Sequence, residues 1–496
     1  MQQHKAVVIG SGVAGLASAI RLAILGFETT VFERNHYPGG KLSLIEKDGF
    51  RFDAGPSLFT QPHNIEQLFT DAGEHINDYF QYESVPISCR YFYDNEKVVN
   101  AYSDTQQFEK ELQEVMGEKQ GSLTNYLSQS EQLYNTIGTV FLNHSLHKRK
   151  TWLQPAIVKA LKNLRFPYLF GTLHQHNQKR FSNPQTIQLF NRFATYNGSN
   201  PYQTPGMMSL IPHLELNEGT FYPKGGMISI TNALYQLALK KGVRFHFNTS
   251  VQSIIHHQGK IKGIAANNEN HFADVVVSNA DIYFTYQQLL KDESKATKVL
   301  KQERSCSGVI FYWGMNREFQ QLHLHNIFFS GNYKAEFDHI FQLKKLFHDP
   351  TVYINITSKM ETGHAPTGKE NWFVLVNAPS HTQQNWEQLK LQLKQNILQK
   401  LSKVLGEDIG AAIEVEETLD PISIESKTGS YLGALYGTSS NSRMAAFNRH
   451  PNFQSHIKGL YFCGGSVHPG GGIPLCFKSA EIVSKLVQED YKMNVQ

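Results

Sequence analysis

The sequence predicts an α/β fold of two lobes, and three observations carry the prediction. A strand, a glycine turn and a helix follow one another within residues 5–26, a helix-and-strand pattern returns within residues 222–280, and a third strand, glycine turn and helix occupy residues 459–487. Pieces of this kind join into one parallel sheet, a Rossmann-like domain of three discontinuous segments, and leave the two intervening stretches for an α+β lobe. The boundaries read as 1–75, 222–290 and 440–496 for the first domain, and 76–221 and 291–439 for the second.

Residues 5–9 (KAVVI) are a short β-branched run, followed at once by Gly10, Ser11, Gly12, Val13, Ala14 and Gly15 and by the helical composition LASAIRLAILG. Residues 27–32 (FETTVF) form a second strand that delivers Glu33, 18 residues beyond Gly15. Each part has a physical task. Gly10 permits the turn, Gly12 lets the backbone approach a pyrophosphate, and Gly15 lets the helix pack closely on the strand. The helix start at Val13 and Ala14 offers N–H groups and a positive dipole end to phosphate. Glu33 suits a ribose hydroxyl and argues against a 2'-phosphate, which leaves NAD or FAD.

The second piece starts near Gly225-Gly226, passes a helical stretch ending at Gly242, and enters a strand over residues 243–248. Val251 follows, then the alternating hairpin IIHHQGKIKGIAA, and then a buried strand, Val275-Val276-Val277-Ser278, before Asn279. In the third piece a strand over 459–463 leads into Gly464-Gly465-Ser466, then His468-Pro469-Gly470-Gly471-Gly472-Ile473-Pro474 and a helix over about 475–487. Pro474 fits a first helical turn, where its missing N–H would be unpaired anyway.

Composition narrows the class. With 40% apolar and 18% charged residues the chain is too apolar for disorder, and no run of 18 apolar residues is present to span a bilayer. Cys89, Cys306, Cys463 and Cys476 contain no CxxC pair, so neither a disulfide framework nor a zinc site is expected, and a reducing compartment fits. Because the first strand starts at about residue 5, no signal peptide is expected and the protein is placed in the cytoplasm. His174 with His176, and His323 with His325, would each project two rings to one side of a strand. No third ligand stands near either pair, so surface histidines and no metal are expected.

Net charge is uneven. Residues 132–214 contain no acid and nine bases, Lys148, Arg149, Lys150, Lys159, Lys162, Arg165, Lys179, Arg180 and Arg192. Within them Leu153, Ile157, Leu161 and Leu164 recur at helical spacing, and Phe166-Pro167-Tyr168-Leu169-Phe170 adds a bulky tip. A basic amphipathic helix with aromatic flanks is what a surface-lying membrane anchor needs, so this stretch is expected to include a helical, membrane-facing lid that docks on anionic lipid. The protein is thus expected on the inner face of the membrane as a peripheral protein. No nucleic-acid signature accompanies the bases, and no nucleic-acid partner is expected.

Glu33-Arg34-Asn35, Gly39-Gly40-Lys41 and Phe52-Asp53-Ala54-Gly55-Pro56-Ser57 resemble the extended fingerprint of FAD enzymes of the amine oxidase and carotenoid desaturase superfamily. The turn GGSxHPGGGIP with its helix looks like the C-terminal motif of bacterial-type carotenoid desaturases, the family of phytoene desaturase. Motifs near residues 10, 40, 55, 225, 278 and 470 extend the resemblance over nearly the whole chain. Residues 429–437 (GSYLGALYG) with Asn441, Arg443 and Asn448 look nearest to the hydroxycarotenoid 3,4-desaturase branch.

The resemblance implies FAD, held by Gly10, Gly12, Val13, Ala14, Gly15, Glu33, Arg34, Gly39, Gly40, Lys41, Pro56 and Ser57, and by Val251, whose backbone would lie against the adenine. Asn279, Gly465, Ser466, Gly472, Ile473 and Pro474 complete the implied set, the last helix directing its N–H groups at the flavin pyrimidine edge. It also implies a lipid-soluble acyclic carotenoid as substrate. Desaturation would pass a hydride to the flavin and lose a proton from the neighbouring carbon, with dioxygen or a membrane quinone reoxidising the cofactor. Conjugation would stabilise the polyene cation, so no single catalytic residue is named. Phytoene or diapophytoene desaturation, carotenoid oxygenation or isomerisation, and non-catalytic escort of prenyl lipids stay open as alternatives on the same scaffold.

Overall fold

The computed structural model describes residues 3–155, 168 and 170–492. The first sheet has five parallel strands in the order Leu460–Phe462, Val275–Ser278, Lys5–Ile9, Glu28–Phe32, Arg244–His246. Its strands read as continuous apolar runs because both faces are covered. Val8, Val31 and Val277 pack with helices Val13–Ile24, Ile228–Lys240 and Ile473–Tyr491. Val7, Phe32 and Val276 pack on the opposite side with Ile254, Ile261 and Ile264 of an antiparallel meander, Val251–His257, Lys260–Ala266 and Glu269–Phe272. The expected hairpin is therefore two strands of three. The expected strand over 243–248 is shorter, Arg244–His246, and the last helix is longer than expected.

The second sheet has seven strands in the order Ile413–Leu419, Ser307–Met315, Glu370–Ala378, Val352–Asn355, His325–Phe328, Ile87–Phe92, Val98–Tyr102. Neighbours are antiparallel except His325–Phe328 with Ile87–Phe92. Helix Trp386–Leu405 seals one face, where Leu393, Ile397 and Leu401 meet Trp313, Trp372 and Val374. The other face carries Ile310, Tyr312 and Phe373 against Phe50 and Phe52 of the hairpin Leu44–Lys47 and Phe50–Asp53. The two lobes thus share a core through the first chain segment.

Most of the expected lid, residues 156–167 and 169, lies outside the described residues. On its near side helix Arg149–Trp152 ends at Leu153, which is 80% exposed. The acid-free stretch is not a uniform basic surface. Arg192 is buried and paired with Glu215 at 2.7 Å, and Lys148 pairs with Glu489 at 3.1 Å, whereas Arg149, Lys150, Lys179 and Arg180 are exposed. Acids absent locally are supplied by the tertiary fold. Among the described residues no helix is long and apolar enough to cross a membrane.

Candidate active site

One cavity of about 1280 Å³ lies between the lobes. That exceeds the roughly 300–1,000 Å³ usual for a site holding one small ligand, and leaves room for two molecules side by side. Its two ends differ in chemistry. The first-domain end is lined by Gly10, Gly12, Val13, Ala14, Glu33, Arg34, Gly39, Gly40, Lys41, Pro56, Ser57, Val251, Asn279, Gly465, Ser466, Gly472, Ile473 and Pro474. The second-lobe end combines apolar side chains, among them Ile310, Ile327, Phe373, Leu375, Leu419 and Leu435, with polar ones such as Thr195, Asn377 and Thr428.

Gly15 is the one residue of the expected set that does not line the cavity. A Cβ there would stand 2.1 Å from the Gly10 carbonyl oxygen, so the helix can press onto the turn only with glycine at this place. Gly39 has φ +105° and donates its N–H to the Ser11 carbonyl at 2.8 Å, which lays the second turn across the first. Asn279 joins all three segments. Its N–H donates to the Ile9 carbonyl at 2.8 Å and its Nδ2 to the Cys463 carbonyl at 3.2 Å, and a Cβ on Gly12 would meet its Oδ1 at 2.7 Å.

Two helices begin at this end of the cavity, at Val13 and Ile473. Neither has a side-chain cap or an acid in its first turn, so each presents amide hydrogens and a positive dipole end to an anion. Glu33 is buried and accepts from Ser11 N–H at 2.7 Å, Ser11 Oγ–H at 2.8 Å and Asn35 N–H at 2.9 Å. A carboxylate has about four acceptor positions, so one remains for a ribose hydroxyl. Lys41 donates its Nζ to the Leu435 carbonyl at 2.7 Å, and burial pulls its ammonium down to about 8. Amide-rich anion ends, a buried acceptor and a long cleft fit an adenine dinucleotide.

Sequence reasoning missed the polar part of the second-lobe end. His325 and His176 are buried, 2% and 9% exposed, where surface histidines were expected. His174 and His176 also stand on a helix, Leu173–Gln178, rather than a strand. The tertiary structure places His325 at the cavity, its Nδ1 2.8 Å from the Tyr353 hydroxyl, which in turn lies 2.8 Å from Ser57 Oγ. Arg192, Tyr196, Glu215 and Ser88 line the same region. Burial alone would lower the Arg192 guanidinium, but Glu215 and Tyr91 beside it hold it above its ordinary value. No spacing in the sequence connects these residues, since they come from different strands and helices. Burial pushes the thiols of Cys463 and Cys476 up to about 12 and about 11, which suits packing and not nucleophilic chemistry. Among the described residues no group of three His, Cys, Asp or Glu could hold a metal.

A sheet-and-helix domain joined to a mixed-sheet lobe, with a dinucleotide cleft between them, defines an FAD-dependent oxidoreductase. The model of flavin-containing amine oxidoreductases matches residues 13–488, and the chain belongs to that family, in its carotenoid desaturase branch. It is 50% identical over 486 residues to a 1-hydroxycarotenoid 3,4-desaturase of Flavobacterium sp. (strain P99-3), covering 97% of this chain and 99% of the relative. It is 31% identical to a 4,4'-diapolycopene oxygenase of Methylomonas sp, covering 98% of each. Among solved structures, an oxidoreductase from Methanosarcina mazei superposes with a TM-score of 0.60 at 17% identity, covering 98% of this chain and 100% of that one, a likeness of fold.

Proposed function

We propose that this protein is a desaturase that introduces a carbon–carbon double bond into an acyclic hydroxylated carotenoid. The observation that carries the reading is one cavity whose first-domain end fits a dinucleotide and whose second-lobe end includes Ile310, Ile327, Phe373 and Leu375, in a chain half identical over its length to a 1-hydroxycarotenoid 3,4-desaturase. Residues 1–75, 222–290 and 440–496 would hold FAD and residues 76–221 and 291–439 the polyene, with the glycine turns and helix starts taking the pyrophosphate and Glu33 the ribose. Bound FAD supplies a two-electron acceptor for the hydrogen removed from carbon. The chain's own part is placement and exclusion of water: Ile310, Ile327, Phe373 and Leu375 present hydrocarbon surface to a hydrocarbon chain, and the cost of burying that chain is correspondingly small.

The substrate dissolves in lipid, and we assign its delivery to a docked state on anionic membrane. Exposed Arg149 and Lys150 beside the 80% exposed Leu153, and Phe170 at 50% exposure, support this reading. Dioxygen or a membrane quinone would accept the electrons.

The test is incubation of the FAD-loaded protein with a 1-hydroxylated acyclic carotenoid in liposomes, followed by chromatography and mass measurement. A product two hydrogens lighter with its absorption moved to longer wavelength is expected. A product carrying added oxygen would assign the chain to the oxygenases instead, and unchanged substrate with a fully loaded flavoprotein would remove the reading.

A further inference from the structure

Among the described residues the second lobe brings two buried charges to the cavity wall, Arg192 and Glu215. Arg192 opens the 3-10 turn Arg192–Asn197, Glu215 lies in the turn His213–Asn217, and folding brings the two to 2.7 Å. Of the described bases in the acid-free stretch, Arg192 alone is buried. Its guanidinium is held on several sides. Nε–H donates to the Tyr91 hydroxyl at 2.8 Å and Nη2–H to Glu215 Oε1, while the group lies 4.5 Å from the Phe193 ring centre and 5.5 Å from that of Tyr196. The Tyr196 hydroxyl donates to the other Glu215 oxygen and so fixes the acid as well.

This network leaves one arm of the fork open. A guanidinium carries N–H donors on Nε, Nη1 and Nη2, and those on Nη1 bond to no described residue. Unlike Arg304 and Arg449, whose Nη1 atoms are sealed inside the protein, Arg192 keeps 10% of its side-chain surface accessible and lines the cavity. The ion pair sets what this arm can take. Glu215 balances the guanidinium charge and would repel a second anion at close range, so a neutral oxygen acceptor suits the arm. A hydrocarbon chain that displaces water from Nη1 leaves its N–H groups without an acceptor, at the full desolvation cost of a charged donor. A hydrocarbon that brings its own oxygen to that point avoids the cost.

We propose that Arg192 Nη1 is the anchor for the alcohol oxygen of a 1-hydroxylated carotenoid, and that it sets a preference for the hydroxylated substrate over the unsubstituted one. This rests on the desaturase reading above. An alcohol on carbon 1 is two carbons from a 3,4 bond, so its anchor has to stand near the wall that the first domain contributes. The seven-stranded sheet leads from Arg192 to that wall. Tyr91, which Arg192 bonds, is level with Ile327 on the neighbouring parallel strand. Ile327 and His325, two residues apart on that strand, share a face and both line the cavity. His325 Nδ1 lies 2.8 Å from the Tyr353 hydroxyl, and that hydroxyl 2.8 Å from Ser57 Oγ of the first segment.

The experiment uses the FAD-loaded full chain with two substrates, a 1-hydroxylated acyclic carotenoid and the same carotenoid without the hydroxyl, and reads the ratio of their kcat/KM values. That ratio cancels any loss of folded enzyme. A hydrogen bond from a charged donor predicts a wild-type ratio of about 10–100 in favour of the alcohol. Arg192→Lys keeps a cation beside Glu215 but removes the Nη1 arm, and should lower the ratio about tenfold. A residue that only stabilised the fold would affect both substrates alike and leave the ratio where it was. If Arg192→Lys does not load FAD, the double change Arg192→Met with Glu215→Gln, which strands neither charge, takes its place with the same expected fall. A wild-type ratio near one, or a ratio unchanged in the variant that loads, would overturn the anchor and leave the desaturase reading intact. Product from neither substrate, with the flavin fully loaded, would remove both.

Discussion

The Asp53 carboxylate accepts the Met227 amide hydrogen at 2.8 Å, and its second oxygen accepts that of Ile228 at 3.2 Å. Through this contact the first chain segment caps helix Ile228–Lys240 of the second, 174 residues away. Burial pushes the carboxyl above its ordinary range, and the two amides together with Arg51 oppose that. Asp53→Ala would leave two amides at a helix start without their acceptor and is expected to cost about 2 kcal/mol, with Asp53→Asn costing less. Urea unfolding followed by flavin and tryptophan fluorescence measures it, and wild-type stability in the alanine variant would count against the contact.

Gly15→Ala tests the close approach at the first glycine turn. The added methyl would lie 2.1 Å from the Gly10 oxygen, so helix or turn must shift. Such overpacking costs roughly 1–3 kcal/mol, and if it is spent on displacing the pyrophosphate cradle, FAD affinity drops about tenfold or more. Titration of the apoprotein with FAD reads this directly, and unchanged affinity would show that the turn can relax without moving the cradle.

Four buried histidines set the acid limit. Burial pulls His176 and His364 down to about 4 and His325 and His468 to about 3. Their folded values lie below the unfolded value of about 6.5, so between these limits the unfolded chain binds more protons. Stability from this source is complete above pH ~6.5 and is lost as pH falls, by up to about 1.4 kcal/mol per pH unit for each group. The melting temperature should fall steeply from about pH 6.5 towards pH 4, and His176→Gln should flatten that slope. A level profile over the same range would contradict neutral burial of these rings.

The proposed lipid docking rests on particular side chains. Lys148 is engaged by Glu489, while Arg149, Lys150 and Leu153 are exposed. Arg149→Ala with Lys150→Ala, and separately Leu153→Asp, should lower co-sedimentation with anionic vesicles more than Lys148→Ala does. Added salt should weaken the wild type as the Debye length shrinks from about 10 Å at 0.1 M to about 3 Å at 1 M. Equal pelleting of all three variants would place membrane contact elsewhere.

Arg192 and Glu215 are 2.7 Å apart at the cavity wall, 8% and 1% exposed. Removing one partner strands the other charge, so Glu215→Gln or Arg192→Met should destabilise by about 3–5 kcal/mol, whereas the double change should cost less than the sum. A double-mutant cycle by denaturant unfolding checks the coupling.

What adjacent residues encode was readable from the chain by itself. Gly10, Gly12 and Gly15 between an apolar strand and a helix, Glu33 at the end of the next strand, and the HPGGGIP turn before the last helix are local patterns, because turn geometry, helix starts and strand alternation act over a few residues. They were enough to imply a dinucleotide fold, and the family resemblance they carry implied FAD. The tertiary structure decided what sits opposite. Ser57 and Tyr353 are 296 positions apart and meet at 2.8 Å, Arg192 finds its acid only through folding, and His325 moves from an expected surface position to the cavity. The contacts of His325 and Tyr353 depend on strand order and register in the seven-stranded sheet, which no local pattern specifies, and a one-residue shift of register would turn either side chain to the other face.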